Sequence, residues 1–399
     1  MFSKIFRPYP LKLQLKLVWL LLAFRHGASL SSSPISRIGI LTSGGDCPGL
    51  NACIRAISKA AKKRDVEVWG FPKGLPGLLH ETPEAFKLDD SFFSTDMLRK
   101  GGSRLGGFVS SDFYAFDKLS LKDKANKISS SLESLGIDGI IATGGDSSLD
   151  RIGTLLQHTE DDVDIRFVGI PKSIDNDIPE SICSLGFRSA VSIAADAIAN
   201  VRDTAETHRR IIVVEMMGRE AGFLTLHAGL AGGADTILLP EFSIDNDALL
   251  EHVKNVYEEH NCAIVAVSES ICLPQAPGRK STYTTADGRS RLGGSAEAIA
   301  RFLAESLDLD ARHIVLGHMQ RGGAPNAYDK VMGCSLGAKA VDVLCNGMSE
   351  VFVAQNGNKI DVIPLEKVRN VRPQSVQPNC PEIQAAQLMG IYCGSVPPE

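Results

Sequence analysis

From Arg37 onward the chain alternates short, uninterrupted apolar runs rich in β-branched residues with amphipathic stretches, and this alternation restricts its fold more than any other feature. "RIGILTS" (37 to 43) precedes "LNACIRAISKAAKKR", "DGIIATGG" (138 to 145) precedes "SSLDRIGTLLQH", and "RFVGIPKS" precedes "SAVSIAADAIANVRDTAETH". "RIIVVEMMG", "TILLPE", "AIVAVSES" and "HIVLGHM" continue the series, each leading toward another helical segment. An apolar run without polar alternation is a strand buried on both faces, as in a parallel sheet covered by helices. The expected class is therefore doubly wound α/β. About ten strand candidates would make a single sheet wide, so two lobes, each with its own mainly parallel sheet, are expected.

With 399 residues, 44% hydrophobic and 22% charged, the chain is long enough to bury two such cores. A formal net charge of -5 and a pI near 6.0 provide no basic field to gather a phosphate backbone, which argues against a nucleic-acid partner. The nine cysteines form no CxxC pair and no zinc-like spacing, so free thiols in a reducing compartment, the cytoplasm, are expected. Residues 1 to 36 differ from the rest: no Asp or Glu precedes Asp46, and the apolar run "LVWLLLAF" (Leu17 to Phe24) leads into "RHGASLSSSP". That run is far shorter than the roughly 20 residues that span a bilayer, so no membrane role is expected. This N-terminal extension reads as disordered, as a plastid or other targeting segment, as an artefact of an early start codon, or as an accessory helix.

Polar residues gather where the apolar runs end. "ILTSGGDCPG" (40 to 49) and "IIATGGDSSL" (140 to 149) both close a strand with Gly-Gly-Asp before a helix. Paired glycines let backbone approach a ligand, and the following helix N-terminus offers free N–H groups to an anion. The plainer alternative is a tight turn with Asp as the helix N-cap. Neither copy is a Walker loop, since no GxxxxGK[ST] occurs. A third run ends in "GIPKSIDNDI" (169 to 178), crowding Lys172, Ser173, Asp175, Asn176 and Asp177 together. Strand tips of α/β proteins hold ligands, and they also hold ordinary Asx-rich turns.

These tips, "RIIVVEMMGREAGFLT" (210 to 225) and "VLGHMQRGGAP" (315 to 325) follow one another in the order and spacing of the 6-phosphofructokinases, which residues 37 to 370 resemble. The resemblance implies Mg2+-dependent phosphoryl transfer to the 1-hydroxyl of fructose 6-phosphate, giving fructose 1,6-bisphosphate in glycolysis. It implies a cleft between two lobes of a homodimer or homotetramer with a shared active site. The implied phosphoryl-donor lobe comprises residues 37–186 plus 320–370, and the sugar-phosphate lobe residues 187–319 plus 371–399. By resemblance Asp175 is the base and Ser173, two residues back on the same side of an extended segment, holds the transferring group. Asp146 and Asp177 are implied to gather Mg2+. The Gly44 N–H and Arg219 meet the phosphoryl group in flight, for which the planar, permanently charged guanidinium is suited. Gly44, Gly145, Asp146, Ser147, Ser148, Lys172 and Arg104 are implied to hold the donor. Arg210, Arg312, His318 and Arg321, some from a neighbouring subunit, are implied for the 6-phosphate, with Met217, Gly218 and Glu269 reading the sugar hydroxyls. "HIVLGHMQRGG" is read as a buried strand that delivers His318 and Arg321 together at its end.

Three positions bear on the donor. Val109 stands, just after "GGSRLGGF" (101 to 108), where similar ATP-using members carry an Arg that bridges donor and acceptor phosphates. Arg104 or Lys172 would have to replace it. Ser147 stands where ATP users have Gly and pyrophosphate users Asp; small and uncharged, it favours a nucleotide. Lys172 resembles both pyrophosphate users and a subset of ATP users, and does not discriminate. ATP is the expected donor, pyrophosphate the alternative, and a non-catalytic regulatory sugar-phosphate-binding subunit the minor one. NAD kinases and lipid kinases share a Gly-Gly-Asp turn but have no need of "PKSIDND" or of His318 with Arg321.

Overall fold

The computed structural model describes residues 29–30, 33–80, 82–94, 96–107, 116–158, 165–273, 276–280, 282–284, 290–369 and 371–395. Along the chain run β1 (Arg37–Thr42), α1 (Leu50–Lys62), β2 (Glu67–Gly70), β3 (Phe86–Lys87), α2 (Leu121–Ser134), β4 (Gly139–Gly144), α3 (Asp146–Gln157) and β5 (Arg166–Pro171). Then follow α4 (Phe187–His208), β6 (Ile211–Met216), α5 (Phe223–Gly232), β7 (Thr236–Leu238), α6 (Asn246–His260), β8 (Ala263–Ser268), α7 (Ser295–Leu307) and β9 (Ala311–Val315). The chain ends with α8 (Ala327–Cys345), β10 (Val351–Asn356), β11 (Lys359–Pro364) and α9 (Pro381–Leu388).

Two sheets result, as the alternation of apolar runs and helices requires. The larger has the order β11-β10-β5-β4-β1-β2-β3 and is parallel from β10 to β2, with antiparallel β11 and β3 at its edges. The smaller is β9-β6-β8-β7, all parallel. Strand side chains alternate between faces. Ile38, Ile40, Val168, Ile170, Val351 and Val353 therefore enter one core with α1 and α8. Leu41, Ile140, Ala142, Phe167 and Phe352 enter another with α2 and α3. The smaller sheet repeats the pattern, with Ile212 and Val214 on one face and Ile211 and Val213 on the other. The chain returns to the larger sheet after β9, and the C-terminal Val376, Ile383, Ala386 and Cys393 pack into the core of the smaller sheet.

Part of the expected N-terminal extension touches the folded body. Ser29–Leu30 pairs antiparallel with Met348–Ser349, and the Ser36 N–H and hydroxyl donate to the Asp138 carboxylate at 2.6 and 2.8 Å. Residues 1–28, 31 and 32 lie outside the described residues. Among the described residues no helix is long and apolar enough to cross a membrane.

Candidate functional site

Strands β5, β4 and β1 are neighbours and end level, with Thr42 opposite Thr143 and Gly144 opposite Pro171. Their three polar tips therefore emerge side by side. The order of strands reverses between β1 and β4, so the tips open on the crevice where α/β sheets take ligands. Gly44 adopts φ +76°, a left-handed conformation that favours glycine, and the loop runs on to Gly49 before α1 begins. At the second tip β4 passes almost directly into α3, whose first residue is Asp146. The N-caps of α1 and α3 are Gly49 and Gly145, with no side-chain cap bond at either. Neither Asp is a cap, so the plain-turn reading does not hold and the Asp146 carboxylate is left to face the crevice.

The third tip is buried as well as polar. Lys172 is 4% exposed, its ammonium donates to the Gly45 carbonyl, and burial pulls its pKa down. The Ser173 hydroxyl accepts from the Asp175 N–H at 3.1 Å and donates to Asp177 Oδ1 at 2.9 Å. Asn176, at φ +56°, turns the chain and is held by Ile182 and Ser184 through its side-chain amide. Asp175 is 4% exposed; its Oδ1 has no hydrogen-bond partner among the described residues and its Oδ2 lies 3.6 Å from Arg219 Nε. Burial pushes its pKa up, opposed by Arg321, Arg219 and Lys172. Burial, reinforced by the neighbouring Asp175 carboxylate, pushes Asp177 up to about 6.

The smaller sheet supplies the opposite wall. β6 and β8 end level, Met216 opposite Ser268, so Met217, Gly218 and Arg219 come beside Glu269. The Glu269 carboxylate accepts the Gly218 and Arg219 N–H groups at 3.2 and 2.9 Å, and burial raises its pKa. Arg219 sits at φ +52°, a strained conformation for a residue with a Cβ, fixed by those bonds so that its guanidinium reaches Asp175.

Together these elements enclose a polar recess of about 90 Å³ lined by Gly44, Gly45, Gly145, Asp146, Ser147, Ser148, Lys172, Ser173, Asp175, Asp177, Arg219 and Arg321. Arg321 reaches it by lying over Gly45 and donating to the Asp46 carbonyl at 3.1 Å. Through Gly44, Ser147 and Ser148 the recess adjoins a cavity of about 240 Å³ walled by Leu75, Pro76, Phe116, Arg151 and Ile152. Sequence reasoning missed this wall, because apolar residues spread over three segments carry no local signal. A third cavity, about 350 Å³, opens on the other side of Gly44 toward Ser103 and Gly106.

Seven expected residues do not line the recess: Met217, Gly218 and Glu269 belong to the opposite wall beside it, and four others are placed elsewhere. Arg210 precedes β6 and Arg312 lies near the start of β9, at the opposite end of the smaller sheet, both paired with Asp310 at 2.6 and 2.8 Å. The Arg104 guanidinium donates to Ser94 Oγ at 3.0 Å and lies over the Phe92 ring. His318 is exposed on a 3₁₀ turn, Gly317–Arg321, that follows β9. Nor is β9 the buried strand expected: it is an edge strand, with Val315 53% and Met319 69% exposed around its end. Among the described residues nothing covers Val315 and Met319, whereas Ala311 and Ile314 of the same strand pack against the cores of the smaller sheet. Val109 lies outside the described residues. Among the described residues, no group of three or more His, Cys, Asp or Glu side chains forms a metal cage.

A family profile described as Phosphofructokinase matches residues 37–344. The pyrophosphate–fructose 6-phosphate 1-phosphotransferase of Dictyoglomus thermophilum is 40% identical over 84% of this chain and 95% of its own. The ATP-dependent 6-phosphofructokinase 1 of Nostoc sp. is 36% identical over 90% of this chain and 98% of its own. Among solved structures, phosphofructokinase from Saccharomyces cerevisiae superposes with a TM-score of 0.70 at 27% identity, covering 84% of this chain and 45% of that one.

Proposed function

Because the chain belongs to the phosphofructokinase family, we propose that it is a 6-phosphofructokinase moving the terminal phosphoryl group of ATP to the 1-hydroxyl of fructose 6-phosphate. The observation that carries the choice of ATP is the cavity beside the recess. Leu75, Pro76, Phe116 and Ile152 offer apolar walls to a flat base, joined to the recess at Ser147 and Ser148. Pyrophosphate has no group to fill that space. Ser147 at the junction adds no charge against a nucleotide phosphate.

Phosphoryl transfer needs positioning and charge neutralisation more than covalent help. Donor phosphates would lie along the Gly44 N–H, Gly145 and the start of α3, with Lys172 beneath. As the 1-oxygen attacks phosphorus and the bond to the ADP oxygen breaks, Asp175 takes the hydroxyl proton. Burial raises its pKa, which makes it a stronger proton acceptor. Arg219 balances charge on the oxygens in flight, and Ser173 steadies the group. Met217, Gly218 and Glu269 would read the sugar.

The acidic groups fit Mg2+. Asp146 and Asp177 share the recess, and burial with like charge has already pushed Asp177 up, so a cation there relieves repulsion. Two carboxylates suit an ion that keeps waters and phosphate oxygens as its other ligands. When bound, it neutralises donor charge.

On this reading residues 37–186 plus 320–370 form the donor lobe and residues 187–319 plus 371–399 the sugar-phosphate lobe. We propose a homodimer or homotetramer, because Arg210 and Arg312 stand apart from their own recess beside the partly exposed edge strand β9. A neighbouring copy would bring them to the sugar phosphate with His318 and Arg321. The eight cysteines described as free thiols accord with the cytoplasm.

The test is the initial rate with fructose 6-phosphate and Mg2+, comparing ATP, ADP and pyrophosphate at equal concentration. ATP is expected to be preferred; preference for pyrophosphate would reverse the donor assignment, and no turnover with any donor would favour a regulatory subunit. Asp175→Ser should lower kcat roughly 10³-fold or more with little change in sugar-phosphate affinity, because the base acts only in the transition state. Turnover comparable to the unmodified chain would sink Asp175 as the base.

A further inference from the structure

Asp175 and Arg219 hang from different sheets, so the 3.6 Å between their side chains depends on how the two walls of the crevice are held together. One short stretch of the C-terminal segment grips both. The Gln374 N–H donates to the Asp177 carbonyl at 2.8 Å. Its side-chain amide donates to the Ile178 carbonyl and, at 3.0 Å, to that of Ser181. Two residues on, the Val376 N–H donates to Glu241 Oε1 at 2.9 Å. The same oxygen accepts the N–H of Gly222 at 2.8 Å, and Gly222 is the N-cap of α5, three residues after Arg219.

We infer that Gln374 and Glu241 are positioning residues, which through the segment Gln374–Val376 brace the loop of Asp175 and Asp177 against the loop of Arg219. Three features make the brace stiff. Two residues of chain span at most about 7 Å, so there is no slack between its grips. Val376 is 2% exposed in the core of the smaller sheet, which anchors one end. A Cβ built on Gly222 would fall 2.6 Å from Glu241 Oε2, so the carboxylate lies tight against that backbone. The Gln374 side chain also satisfies the carbonyls of Ile178 and Ser181. Loosening either grip lets the walls separate, and a shift of about 1 Å in reacting geometry costs on the order of 10²-fold in rate.

The inference rests on the roles proposed for Asp175 and Arg219, and the experiment separates the two. Gln374→Ala, Glu241→Ala and Glu241→Gln are made in the full chain and assayed with fructose 6-phosphate and the donor it uses best, with melting temperatures and Asp175→Ser alongside. Gln374→Ala and Glu241→Ala should each lower kcat about 10- to 100-fold while KM for fructose 6-phosphate moves less than about threefold. Glu241→Gln keeps an acceptor oxygen for both N–H groups and should restore kcat to within about threefold. The double alanine variant should be little worse than the poorer single one, because both break one device. Lower melting temperatures with unchanged kcat per folded molecule would overturn the brace and leave a purely structural segment. Should Gln374→Ala fail to fold, the contrast between Glu241→Ala and Glu241→Gln decides, and equal loss in both would overturn the brace. If Asp175→Ser is inactive while Gln374→Ala and Glu241→Ala turn over normally, only the brace fails; if Asp175→Ser turns over normally, the functional reading beneath it fails.

Discussion

Gly44-Gly45-Asp46 and Gly144-Gly145-Asp146 are the same tripeptide at the tips of neighbouring parallel strands, yet they are built differently. The first is followed by Cys47-Pro48-Gly49, and the helix waits until Leu50. Its glycines become a floor: Gly44 turns left-handed, and the Arg321 guanidinium lies over Gly45, where a Cβ would come 2.6 Å from Nη1. Asp46 contributes its carbonyl to Arg321 and its side chain stays outside the polar recess. The second is followed by Ser147-Ser148-Leu149, and the helix starts at once, placing the Asp146 carboxylate and the first free N–H groups of α3 in the recess. The tripeptide therefore carries no fixed role. Where the next helix begins decides whether its Asp or its backbone lines the recess.

The two aspartates should separate furthest. Asp146→Asn removes a carboxylate proposed to hold Mg2+, where metal charge is worth several kcal/mol in the transition state, so kcat should fall roughly 10²-fold or more. Asp46→Asn should cost less than about tenfold, since the Arg321 bond uses the backbone carbonyl. Steady-state rates across a Mg2+ titration check the pair, and similar losses would mean that both tips hold the metal. A smaller effect is expected from Ser147→Asp, which sets a second carboxylate beside Asp146 at the mouth of the apolar cavity. At an effective dielectric near 20, like charges a few ångströms apart repel by a few kcal/mol, so kcat/KM for ATP should drop about 10- to 100-fold. Pyrophosphate, which need not enter that cavity, should lose less. Unchanged ATP kinetics would remove Ser147 from the path of the nucleotide.

The parts that were legible share a cause. Uninterrupted apolar runs fixed the parallel strands of both sheets, and the polar residues at their ends, from Lys172 to Asp177 above all, lie together because adjacent strands end level. What the sequence left unread depends on chain that is distant or absent. The apolar cavity draws Leu75, Phe116 and Ile152 from three segments, and Gln374 from a fourth braces the third tip. Arg104 shares the Gly-rich stretch that precedes Val109, but its long side chain reaches Ser94 and Phe92 instead. The run "HIVLGHM" reads as buried because its residues are apolar, and nothing local distinguishes cover by the same chain from cover by another.

The finest distinction between the two tips lies in the backbone. Gly44 holds φ +76°, where a Cβ costs about 1–2 kcal/mol, and an added methyl would stand 3.2 Å from Ser148 Oγ. Gly145 holds φ -72° and ψ 174°, a conformation open to any residue, and its nearest neighbour for a Cβ is the Lys172 carbonyl at 4.0 Å. Gly44→Ala should therefore destabilise the unliganded chain by about 1–2 kcal/mol, whereas Gly145→Ala should change its stability by less than about 0.5 kcal/mol, because the lower entropy of its unfolded state offsets the poorer N-cap. Denaturant unfolding of the two variants side by side reads the difference, because any effect on ligand binding is absent from that measurement. Equal destabilisation would mean that the second tip, too, is held in a strained conformation, and the helix start at Asp146 would no longer explain why the same three residues behave as two different devices.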